Sequence, residues 1–116
     1  MIQIKRVYDT PQKDDGYRIL VDRLWPRGIS KENAQLDEWI KDLSPSHELR
    51  TWFSHDEGKW EDFKQKYREE LKNQVALLKH LKSLEKEHTK VSLLFAAKTE
   101  TRNNAVVLKS VLDSWE

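Results

Sequence analysis

The chain has no cysteine among its 116 residues, which removes disulfides, thiolate metal sites and thiol nucleophiles together. No apolar run comes near the roughly 20 residues that a membrane helix requires. The opening residues Met1 to Arg6 lack the apolar stretch of a secretory leader. A cytoplasmic location without membrane contact is therefore expected. An excess of charge of one sign is missing as well. The 21 Lys and Arg against 20 Asp and Glu leave a formal net charge of +1, so no global field draws the protein to nucleic acid or to an anionic membrane. Any attraction for an anion has to be local.

What is present is a set of large side chains. Five Trp, three Tyr and three Phe bury much area per residue, enough for one core in a chain of this length. A single domain over residues 1–116 is expected, with no repeat, linker or low-complexity tract.

Ile2 to Val7 and Tyr17 to Leu24 read as strands, being rich in β-branched or aromatic residues and bounded by turn signals. The segment between them, Thr10 to Gly16, is too short for a helical crossover, and local reasoning favours an antiparallel pair. Ser30 is placed to cap a helix from Lys31 to about Leu43, with Leu36, Trp39, Ile40 and Leu43 on one face. Ser44 or Ser46, around Pro45, opens a shorter helix through Phe53. Trp60, Phe63, Tyr67, Leu71, Leu78, Leu81 and Leu84 recur at three- and four-residue steps as the stripe of one long helix. Val91 to Ala97 is a mainly apolar run of strand length, the pattern of a central parallel strand buried on both faces. Asn103 or Asn104 then caps a last helix carrying Ala105, Leu108, Val111, Leu112 and Trp115.

Three segments could carry chemistry. Val21-Asp22-Arg23-Leu24-Trp25-Pro26-Arg27-Gly28, followed by Ser30 and Lys31, leaves a strand and enters a helix, the place where ligands gather in open α/β sheets. Its two guanidinium groups suit a phosphate or carboxylate. Equally, Arg23 could pair with Asp22 or a helix carboxylate while Trp25 and Pro26 serve core and turn. Ala96 to Asn104 joins the buried strand to the last helix, where free backbone N–H groups, Lys98 and Arg102 could cradle an anion. That loop has no glycine for close backbone approach, so a plain capped connection accounts for it too. In the third segment His55 beside Asp56 invites a general-base reading, with Asp56 as the cap of the long helix the simpler alternative. His47, His80 and His88 have no spacing that gathers them with His55, and no metal or cofactor is expected.

Taken together, RVYD at Arg6 to Asp9, VDRLWPRG at Val21 to Gly28, Pro45-Ser46, Leu49-Arg50, Trp52-Phe53, His55-Asp56 and NNAVVL at Asn103 to Leu108 resemble the YeaO-like branch of the DUF488 family. The blocks span nearly the whole chain. The resemblance implies a distant relation to the rhodanese and phosphatase superfamily, whose active-looking members carry a cysteine near the end of the buried strand and a Cys-His-Arg string at the following helix start. Here those places read Leu94 to Lys98 and Asn103-Asn104-Ala105. Covalent thiol chemistry is absent, and what the resemblance implies is a binding pocket descended from an active site. It also implies parallel first strands with a helix between them, here cut to a loop. The expected fold is thus α/β, a small three-layer-like domain with a mainly parallel or mixed sheet of about three strands and about four helices, its strand order open.

The leading expectation is a catalytically degenerate domain without a complete catalytic site. It would bind a small anion such as phosphate, a nucleotide or a phosphorylated metabolite through Arg23, Arg27, Lys98, Asn103 and Asn104, with Asp22, Trp25 and His55 nearby. A second is a cysteine-independent hydrolase using Asp22 or Asp9 with His55 as proton shuttle. A third is a nucleic-acid or protein interaction module using Arg18, Arg23, Arg27 and Lys31, against which the near-neutral charge argues.

Overall fold

In the computed structural model, which describes residues 1–54 and 56–115, the run Val91–Phe95 is buried at every position. Alternation divides it between two faces: Val91, Leu93 and Phe95 enter the larger core, and Leu94 enters a smaller one behind the sheet. A strand buried on both faces needs neighbours on both edges. This strand, β4, pairs in parallel with β1 (Ile2–Arg6) on one side and β2 (Tyr17–Leu20) on the other. A short strand, β3 (Glu38–Trp39), pairs in parallel with β2 and completes the four-stranded order β1-β4-β2-β3.

The antiparallel pairing of β1 with β2 suggested by the short loop is corrected by this order. The two strands never meet, because β4 lies between them. The return needs no helix. About ten residues can span about 33 Å, whereas a five-residue strand is about 16 Å long and two strand spacings add about 10 Å sideways. The loop closes through a 3-10 turn at Lys13–Asp15 and Gly16, whose φ is 69°. A Cβ at Gly16 would lie 2.3 Å from the Lys90 carbonyl oxygen, so the close approach that starts β2 beside β4 requires glycine.

Two helices differ from their sequence patterns. The stretch from Lys31 is helical for one turn only, α1 (Lys31–Ala34), capped by Ser30 and ended by Gln35 in the left-handed region. Arg18 takes the Ala34 and Gln35 carbonyls, the Asp37 carboxylate accepts from the Arg18 amide, and the chain then joins the open edge of β2. Unpaired edge groups on β2 outweigh a marginal helix. The long stripe is likewise two helices, α3 (Trp60–Leu71) and α4 (Val75–His88), separated by a turn at residues 72–74. One helix over 60–84 would be about 37 Å long, as long as the whole molecule at 36 Å; folding back lets both halves reach the core.

The remaining helices are α2 (His47–Phe53), capped by Ser46, and α5 (Asn104–Asp113), capped by Asn103. Asp56 caps the 3-10 turn Glu57–Lys59 that runs directly into α3. Helix α5 lies on β1 and β4, α4 on β2 and β4, α3 against α5, and α2 against α3. The opposite face carries α1 and the segments around it, with Trp25, Ile29, Leu36 and Trp39 packed on Val7, Leu20 and Leu94. The architecture is α/β with a parallel sheet, as expected, with one strand and one helix more. No helix among the described residues is long and apolar enough to cross a membrane.

Candidate functional site

Parallel pairing brings the carboxyl ends of β1, β2 and β4 to one edge of the sheet, and three side chains lock that edge together. Asp22, just beyond β2, accepts from the Ala96 amide at 2.9 Å and from Asn104 Nδ2 at 3.2 Å. Asn104 also donates to the Val21 carbonyl at 3.0 Å, tying the start of α5 to the end of β2. Arg6, at the end of β1, donates to the carbonyls of Ala97 and Ala96 at 3.0 and 3.2 Å. Asn103 is buried and spent as a cap, its Oδ1 accepting from Val106 N at 3.1 Å and its Nδ2 donating to Thr99 O at 2.8 Å.

The segment after β2 is held just as firmly. Trp25 donates to the Ile29 carbonyl at 2.8 Å and meets Trp39 edge to face at 5.4 Å. The Tyr8 hydroxyl donates to the Arg27 carbonyl at 2.8 Å. On the far side, α2 is anchored by Glu70 of α3, which accepts from the Ser46 amide at 2.9 Å and its hydroxyl at 2.5 Å. Behind it the buried Tyr67 hydroxyl donates to the Leu43 carbonyl, and burial pushes its pKa far up.

Between these walls lies a cavity of about 590 Å³. Four guanidinium groups, those of Arg23, Arg27, Arg50 and Arg102, border it against one lining carboxylate, that of Asp22, a formal excess of three positive charges among the described lining residues. Compensation from outside is thin. Arg102 pairs with exposed Glu57 at 3.3 Å, and Arg23 reaches exposed Asp42 only at 3.9 Å. Arg50 Nε is a buried nitrogen without a hydrogen-bond partner among the described residues. Such a donor costs about 1–3 kcal/mol when left unmade. Phe53 and Phe63, stacked at 4.3 Å, supply an apolar part of the wall together with Leu24 and Pro45.

Of the residues singled out in the sequence, Asp22, Arg23, Trp25, Arg27, Asn103 and Asn104 border this cavity. Lys98 is exposed and does not border it, nor does exposed Asp9, so the two carboxylates of the hydrolase reading do not share it. His55 lies outside the described residues. Arg18 is buried at the opposite end of the sheet, paired with Asp15 at 2.5 Å, which removes it from any exposed basic stripe. Lys31 is exposed on α1, away from the cavity. Arg50 is the residue that sequence reasoning passed over. Its signal was a charge one position after buried Leu49 and three before buried Phe53 on a short amphipathic helix, where a solvated charge has no reason to sit.

No group of three or more His, Asp or Glu suited to a metal occurs among the described residues, and the guanidinium-rich wall repels cations. It suits oxyanions instead, each fork of donors matching a carboxylate or phosphate.

The model of the inactive DUF488-N3 subclade matches residues 1–115. The Escherichia coli (strain K12) uncharacterized protein YeaO is 46% identical over 113 residues, covering 97% of each chain. The Mycobacterium tuberculosis (strain H37Rv) uncharacterized protein Rv3073c is 37% identical over 112 residues, covering 97% of this chain and 93% of that one. No solved structure matches this chain significantly. With the whole sheet, both site loops and the capped α5 inside the matched span, the chain belongs to the YeaO-like DUF488 family, in its inactive N3 subclade.

Proposed function

We propose that this domain is a non-catalytic cytoplasmic binding protein for a small multiply charged oxyanion, held in the arginine-lined cavity at the carboxyl edge of the sheet. The observation that carries the reading is Arg50, whose buried Nε has no partner within the described residues while three further arginines face the same space. A buried donor without a partner is unstable alone and is satisfied by an anion. The position agrees with the general rule that ligands of open parallel sheets sit beyond the strand carboxyl ends.

The non-catalytic reading rests on the side chains present. A chain without cysteine has no thiolate to place at the start of α5. Asn103 stands at that start with both side-chain ends committed to the cap. Both carboxylate oxygens of Asp22 serve the frame. On this reading, the cradle that the resemblance to the rhodanese and phosphatase superfamily implies is kept for binding. A nucleic-acid partner is disfavoured by the net charge of +1 and by a site that is concave rather than striped.

The test is a thermal-shift series with phosphate, sulfate, nucleotides and phosphorylated metabolites on wild type and Arg27→Ala. A ligand at about one hundred times its Kd adds about 2.7 kcal/mol, which raises the midpoint by several degrees in a domain of this size. Stabilisation by one ligand class, lost in the variant, is the expected result; no shift with any of them overturns the reading.

A further inference from the structure

The cavity is much larger than the anion its arginines would hold. Its volume of about 590 Å³ is in the middle of the 300–1,000 Å³ typical of pockets for drug-sized ligands, whereas an inorganic phosphate has a handful of heavy atoms. The remainder is bordered by apolar surface. Phe53 and Phe63 are stacked and almost fully buried, Pro45 is buried, and Leu24 is 67% exposed beside them. An exposed leucine in that position has its side chain available to a ligand body.

The polar groups of the wall are the second constraint. Several acceptors there are already engaged: the Ala96 and Ala97 carbonyls by Arg6, the Arg27 carbonyl by Tyr8, the Pro45 carbonyl by Arg23, and Asn103 Oδ1 by the α5 cap. The charged groups that remain are chiefly donors, the four guanidinium groups set against the Asp22 carboxylate. A ligand that brings its own donors, as a nucleobase does with exocyclic amino groups, would leave them unpaired on burial, which is a strong ground for rejection. A ligand whose polar atoms are all acceptors and whose body is hydrocarbon meets every wall.

Resting on the oxyanion reading above, we infer that the ligand is a phosphomonoester or similar dianion carried on an apolar, aromatic-sized body. The dianion faces Arg50 and its neighbouring arginines, and the apolar body lies against Leu24, Pro45 and the Phe53–Phe63 pair. Selectivity follows from the four guanidinium groups, which favour a ligand rich in acceptors.

Phenyl phosphate, inorganic phosphate and AMP serve as probes, with Kd measured by isothermal titration calorimetry on the whole chain. Phenyl phosphate is expected to bind at least tenfold tighter than phosphate and tighter than AMP. Leu24→Asn should weaken phenyl phosphate severalfold while leaving phosphate unchanged, and Arg50→Gln should weaken both. Should Arg50→Gln fail to fold, Arg27→Ala on the exposed rim supplies the same comparison. Equal affinity for phosphate and phenyl phosphate overturns this inference and leaves a bare-anion site. Tighter binding of AMP overturns it in favour of a nucleotide. Binding of none of the three overturns the oxyanion reading itself.

Discussion

The two ends of the sheet carry charge in opposite ways. At the amino end, Asp15 and Arg18 are almost fully buried and answer each other at 2.5 Å, with Lys5 adding a second pair at 2.9 Å. Arg18 also donates to the Ala34 and Gln35 carbonyls, and the Gln12 amide donates to Asp15. Every charge there has a partner from the chain itself. At the carboxyl end, four arginines share one lining carboxylate, and a buried guanidinium nitrogen has no partner among the described residues. The first cluster fixes where the β1–β2 loop, β2 and the end of α1 lie. The second leaves one buried donor, Arg50 Nε, without a partner among the described residues. Burial of an arginine therefore says little about function until its partners are counted.

This contrast can be broken most forcefully at Asp15. Asp15→Asn leaves Arg18 buried beside a neutral group, and loss of one member of a buried pair costs about 3–5 kcal/mol. A urea titration of the variant should show a correspondingly lower midpoint. A loss under about 1 kcal/mol, the ceiling for a surface pair, would mean that the amino-end cluster does not hold the fold.

Acid sharpens the same comparison with a smaller effect. Burial alone would raise the Asp15 carboxyl, but the Gln12 amide, Lys5 and Arg18 outweigh it and hold the group below its ordinary value of 3.8. A depressed folded pKa gives stability that is complete above the ordinary value. It is lost as pH falls below that value through the lower folded one. The stability difference between wild type and Asp15→Asn should therefore shrink from about pH 6 to about pH 3. A difference that stays constant over that range would contradict the depressed carboxyl.

The smallest effect belongs to the other end. Arg27 is exposed and no side-chain partner of it is recorded among the described residues. Without ligand, Arg27→Ala should change stability by no more than about 0.5 kcal/mol, read in the same urea titration. A larger loss would make Arg27 part of the frame and erase the contrast between the two clusters.

Much of this arrangement was legible beforehand where the signal is local. Val91 to Phe95 announced a strand buried on both faces, and Ser30, Ser46 and Asn103 are caps where short polar side chains precede helical patterns. The Asp22 to Arg27 segment, read as leaving a strand beside two arginines, borders the candidate cavity. Leu36, Trp39, Ile40 and Leu43 misled, since a stripe at helical spacing also fits a short strand followed by a 3-10 turn at Lys41–Leu43. Leu71 and Leu78 kept their phase across the turn at residues 72–74, so periodicity concealed the break between α3 and α4.

By itself the amino-acid order determined the α/β class, the central strand, the caps of α1, α2 and α5 and the absence of thiol chemistry, because propensity, alternation, capping and residue identity act over a few neighbours. Only the tertiary structure decided that β4 separates β1 from β2, that Glu38–Trp39 becomes an edge strand, and that Arg18 is satisfied while Arg50 Nε has no partner among the described residues. Those outcomes depend on groups far apart in the chain, as in the 74 positions between Asp22 and Ala96, and whether a buried charge meets a partner is settled by where such distant groups come to rest.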